Sequence, residues 1–118
     1  MFFGWLDRIY GIPSAFHEKA ADIRKEGLDL LSRVERDVPK GDDPYEGSFP
    51  GQYVSVYVER RPRPGNYRPS FGKMAHVYHP CYIRLILPDG ASLECRSDTM
   101  LDTVSLVRGD FLKRCMEL

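Results

Sequence analysis

Residues 81–96 read as two alternating apolar runs joined by Pro88-Asp89-Gly90. Proline suits the first central position of a type I turn. Aspartate suits the second, and glycine the left-handed position that closes a three-residue hairpin loop. That loop fixes a register in which Leu87 faces Ala91, Leu85 faces Leu93 and Ile83 faces Cys95. One side of the hairpin then carries Ile83, Leu85, Leu87, Ala91, Leu93 and Cys95, all apolar. The other side sets Arg84 against Glu94, a favourable cross-strand pair. A two-residue Asp-Gly turn slips the pairing by one and puts Leu85 beside Glu94, so the side-chain pattern selects the bulged turn.

An apolar sheet face needs a second layer. Phe16, Ala20, Ile23, Leu30, Leu31 and Val34 step by three and four, with Gly27 in the same seam. Ser14 is a good N-cap, so the spacing predicts one amphipathic helix from there to about Asp37. Its other side is charged, and Asp29–Arg33 is an i,i+4 pair. Residues 38–51 hold three prolines and three glycines beside Asp42, Asp43 and Glu46, and read as an acidic loop. Residues 52–59 alternate, with Val54, Val56 and Val58 against Tyr53, Ser55, Tyr57 and Glu59. That is the pattern of a half-buried antiparallel strand. Another strand is expected from about Met74 to the Tyr78-His79-Pro80 break, where Pro80 marks an edge or a bulge.

Thr99 followed by Asp102 resembles a capping box with a shorter acid. It predicts a short helix holding Leu101, Val104 and Val107, ended by Gly109, then a last turn with Phe111, Leu112, Cys115 and Met116. The expected fold is α+β: a long N-terminal helix packed on an antiparallel sheet of three or four strands, with a short C-terminal helix. Residues 1–118 are expected to form one domain. Residues 83–93 with the capped helix resemble the C-terminal hairpin and helix of small accessory proteins of some insertion sequences, over about a fifth of the chain. The helix-turn-helix those proteins carry upstream is not visible here, and no function follows.

Charge excludes some classes. Lys and Arg number 17, and so do Asp and Glu, so the chain is no polycationic coat for nucleic acid or membrane. Three cysteines, Cys81, Cys95 and Cys115, form no disulfide framework, which points to a reducing, cytoplasmic setting. Phe2, Trp5, Leu6, Ile9 and Tyr10 fall at helical spacing in an apolar start, either packed on the core or docked on a partner. This stretch is far below the ~20 residues of a membrane span, and Asp7 and Arg8 interrupt it.

Little in the chain suggests chemistry. His76, His79 and Cys81, with Cys95 on the next strand, form the one metal-like cluster, but a second Cys-x-x-Cys arm is missing. Asp42, Asp43 and Glu46 lack the frame of a calcium loop. Cys81 beside His79 evokes a nucleophile and base, yet Cys81 shares the apolar side with Ile83 and Leu85, where thiols are usually inert. No glycine-rich phosphate loop or nucleophile elbow occurs. No catalytic residue, metal or cofactor is therefore expected.

What stands out is residues 60–73, which carry Arg60, Arg61, Arg63, Arg68 and Lys73 with no acid, interleaved with Tyr67 and Phe71 and stiffened by three prolines. Arginine forks onto phosphate or carboxylate, aromatics offer stacking platforms, and proline lowers the entropic cost of docking. The expected function is non-catalytic binding: a small intracellular adaptor, regulator or inhibitor, of the sort phages and mobile elements encode. It would meet a larger macromolecule through this loop and the aromatic start at Phe2 and Trp5. The alternative is direct nucleic-acid binding through the same loop, and a small metal-dependent enzyme ranks third. The bland competitor is a solvated loop whose arginines pair with Asp42, Asp43 and Glu46.

Overall fold

The computed structural model describes residues 19–63 and 78–116. The hairpin adopts the expected register. Strands β3 (Cys81–Ile86) and β4 (Ser92–Ser97) pair Ile83 with Cys95, Arg84 with Glu94 and Leu85 with Leu93. The Leu87 N–H donates to the Ala91 carbonyl at 2.7 Å, and the Gly90 N–H to the Leu87 carbonyl at 2.9 Å. Gly90 sits at φ 91°, where a side chain would be strained.

Strand β2 (Ser55–Arg60) pairs antiparallel with β3, which places Val56 beside Leu85 and Val58 beside Ile83. The stretch expected to be an acidic loop is in part a strand: β1 (Tyr45–Pro50) pairs antiparallel with β2. Three prolines and three glycines in residues 38–51 hid it. An edge strand tolerates Gly47 and Pro50 because half of its backbone groups need no ladder partner. What fixes β1 is Phe49, buried opposite Val56. The sheet order is β1-β2-β3-β4. The strand expected over residues 74–77 lies outside the described residues, and 78–80 are not strand.

Helices α1 (Ala20–Asp37) and α2 (Met100–Met116) cover one face of this sheet. The core joins Ile23, Leu30, Leu31 and Val34 of α1 to the inward side chains of β1, β2 and β3. From α2 it takes Val104, Val107 and Phe111. The helix start at Ser14 lies outside the described residues. α2 opens as expected, with the Asp102 N–H on Thr99 Oγ1 at 3.1 Å. It does not stop at Gly109, however. A helix-interior glycine costs only about 1 kcal/mol, and continuing the helix buries Phe111 completely, worth roughly 1.5–3 kcal/mol. Packing therefore overrides the glycine signal, and the C-terminal helix runs 17 residues.

Two contacts lock the layers. Phe111 lies against Gly27, where any Cβ would overlap its ring. Glu26, one residue earlier, reaches across to the β1–β2 connection. Its carboxylate accepts the backbone N–H groups of Gln52 (2.8 Å), Tyr53 (2.6 Å) and Val54 (2.8 Å). Partial burial pushes this carboxyl up, but the three backbone donors outweigh burial and hold it below its ordinary value. Among the described residues no helix is long and apolar enough to cross a membrane.

Gly27→Ala should destabilise the protein by about 1–3 kcal/mol in urea unfolding, despite the better helix propensity of alanine, because the methyl group must displace Phe111. Glu26→Gln should cost about 1.5–3 kcal/mol at pH 7 by removing a charged acceptor. Since the folded-state pKa is depressed, the contribution of Glu26 is complete above 4.5 and fades as pH falls through the lower folded value. Wild-type and Glu26→Gln stability curves should therefore converge in acid.

Candidate functional site

The expected basic loop leaves the sheet at the end of β2 and returns before β3. Arg60 was expected to be displayed, but the structure buries it. As the last residue of β2 it points to the helix-covered side with Val56 and Val58, and only 4% of it is exposed. Its Nε–H donates to the Asp43 carbonyl at 2.6 Å. Strand alternation assigned the valines to the buried side, and the same alternation carries Arg60 with them. The signal was present at position 60 and was overridden by the expectation that arginine is exposed.

Arg61 and Arg63 behave differently. Arg61 is exposed on the outer side, with Nε 2.8 Å from Glu59 Oε1. Its backbone N–H donates to the Pro80 carbonyl at 2.9 Å, extending the β2–β3 ladder by one step. Arg63 folds back, with Nε 3.2 Å from Asp42 Oδ1 and one terminal nitrogen donating to the Asp98 carbonyl at 2.6 Å. On the return side the Tyr78 hydroxyl donates to the Pro62 carbonyl, and His79 Nδ1 lies 3.2 Å from Asp98 Oδ1. Residues 61–63 and 78–80, the described flanks of 64–77, thus meet in a closed base. Tyr67, Arg68, Phe71, Lys73, Phe2, Trp5 and His76 lie outside the described residues.

Asp98 is the residue that sequence reasoning missed. Its carbonyl accepts from Arg63 and faces Cys81 Sγ at 3.7 Å, and its side chain meets His79. His79 and Cys81 both meet Asp98, His79 at its carboxylate and Cys81 at its carbonyl. Cys95 lies instead by Asp110, with Sγ 3.6 Å from Oδ2. Among the described residues no group of three His, Cys, Asp or Glu side chains is arranged to hold a metal ion.

A cleft of about 290 Å³ opens beside the base. Lys40 and Asp42 come from the turn after α1, Arg60 and Arg63 from the end of β2, Cys81 from β3, and Thr99 from the cap of α2. Burial raises the pKa of the Cys81 thiol, and the charges of Arg60 and Arg63 only partly oppose it. Burial and the Asp110 carboxylate push Cys95 up to about 11. Both thiols are therefore protonated at neutral pH, the unreactive form.

The sheet face that no described helix covers is built differently. Tyr57 and Tyr82 lie on the two central strands with ring centroids 6.1 Å apart, and the Arg96 guanidinium sits 4.4 Å from the Tyr82 ring. Burial, the hydrogen bond to Glu59 and the charges of Glu59 and Glu46 push Tyr57 up to about 12. Arg84 lies 3.8 Å from Glu94. Cations and carboxylates alternate over this face, which leaves it without a net sign. No family model, curated protein or solved structure matches the chain.

Proposed function

We propose that this protein is a non-catalytic binding protein, a small intracellular adaptor, regulator or inhibitor that holds a larger macromolecule through residues 64–77. The closed base supports this most directly. Arg61 to Pro80, Tyr78 to Pro62 and Arg63 to Asp98 tie both ends of the segment to the sheet and to the cap of α2. A loop held at both ends has less freedom to lose when a partner binds. It carries Arg68 and Lys73 as cations, with Tyr67 and Phe71 as apolar anchors, a combination that favours an acidic protein surface. Phe2 and Trp5 are the second proposed contact. Three free cysteines fit a reducing compartment.

Nucleic-acid binding is the second reading, favoured by the Tyr57–Tyr82 pair on the central strands, where sheet-based RNA binders stack bases. Glu46, Glu59 and Glu94 on the same face oppose a phosphate backbone, so it ranks lower.

Affinity capture from the native host tests the proposal with three forms of the full chain: wild type, Arg68→Ala with Lys73→Ala, and Tyr67→Ala with Phe71→Ala. The expected result is a protein captured by wild type and lost from both variants, whose unfolding midpoints match wild type. Capture unaffected by either pair contradicts it. In the nucleic-acid reading, anisotropy with a single-stranded oligonucleotide weakens steeply with salt, and the salt slope falls by about one unit per cation removed.

A further inference from the structure

Beside the loop, the cleft has a chemistry of its own. Its carboxylates are already engaged: Asp42 lies 3.2 Å from Arg63 Nε, and Glu35 lies 2.7 Å from Arg108. Arg60 and Lys40 form no ion pair among the described residues. Arg60 is the unusual one. It is a guanidinium with 4% exposure that lines a cavity, and among the described residues its one hydrogen bond, from Nε, goes to a neutral carbonyl. A buried cation without a counter-charge is expensive, and proteins normally pair it.

The facing wall adds a second, independent positive feature. The 17-residue helix α2 begins there. Thr99 Oγ1 takes the Asp102 N–H, while the Met100 and Leu101 N–H groups find no acceptor among the described residues. Free amides at a helix start carry the positive end of its dipole and suit an oxyanion. Val34 and Val38 make the remaining wall apolar.

We propose that this cleft binds a small organic anion, a carboxylate or phosphate head on a short apolar body. The Arg60 guanidinium and the Met100 and Leu101 amides hold the head, and Lys40 stands at the rim. A volume of about 290 Å³ lies at the lower end of small-molecule pockets, which run from roughly 300 Å³ upward. It is too small for a folded domain or a duplex. None of these residues belongs to 64–77, so the site stands or falls separately from the loop.

The test is an NMR titration of the full chain with sodium phosphate and, separately, with sodium butyrate. Ionic strength is held constant with chloride. The expected result is saturable shifts of the Met100 and Leu101 amides and of the Arg60 Nε–H with at least one of the two. Saturation by phosphate alone assigns the head as phosphate, and saturation by butyrate alone assigns it as carboxylate. Arg60→Met should abolish saturation. Lys40→Ala, an exposed change that leaves the fold intact, should weaken binding about tenfold through loss of one charge-assisted contact, and it serves if Arg60→Met does not fold. Non-saturating shifts with both anions, or an affinity unchanged in Lys40→Ala, would overturn the proposal.

Discussion

The seating of the Phe111 ring against Gly27 is the contact on which the rest of the molecule depends. A four-stranded sheet with one apolar face needs more cover than one helix of five turns provides. Two helices can share that face only where their backbones approach closely, and a glycine opposite an aromatic ring permits this. Phe111, Ile23 and Leu31 are buried completely around the contact. Glu26 then fastens the same stretch of α1 to the β1–β2 connection, so one turn of helix sets both the interhelix spacing and the position of the sheet.

That arrangement determines what collects at the opposite end of α1. There the end of α1, the exit of β2, the entry of β3 and the cap of α2 meet. Their termini bring unsatisfied carbonyls and amides into one place. Arg60 and Arg63 take up the carbonyls of Asp43 and Asp98. The amides at the start of α2 remain beside the cleft. Two of the cations that look like display groups in the sequence, Arg60 and Arg63, therefore build this pole.

Much of this was legible in the sequence where pattern and chemistry agreed. Pro88-Asp89-Gly90 fixed a turn, and apolar alternation allowed one register across it. Val56 and Val58, with Val54 just before the strand, marked the buried side of β2, and Thr99 marked the start of α2. The misses share a cause, which is tertiary packing overriding a local signal. Phe49 recruits a proline- and glycine-rich stretch into the sheet as β1, and Phe111 draws α2 through Gly109. At position 60 strand alternation defeats the preference of arginine for solvent. Asp98 was illegible because its contacts with Arg63 and Cys81 use its backbone carbonyl, a group that every residue has, and its side chain reaches His79 across the fold. Function was less legible still, because the proposed binding surface needs no fixed spacing of reactive residues.

The central claim is that the working end of the protein is the segment held between β2 and β3. Hydrogen–deuterium exchange of the full chain, alone and bound to its captured partner, tests it most directly. The account predicts new protection concentrated in residues 61–80, with the outer sides of both helices unchanged. Protection confined to the exposed side of α2 around Leu106 and Met116, with residues 61–80 exchanging as in the free protein, would contradict it.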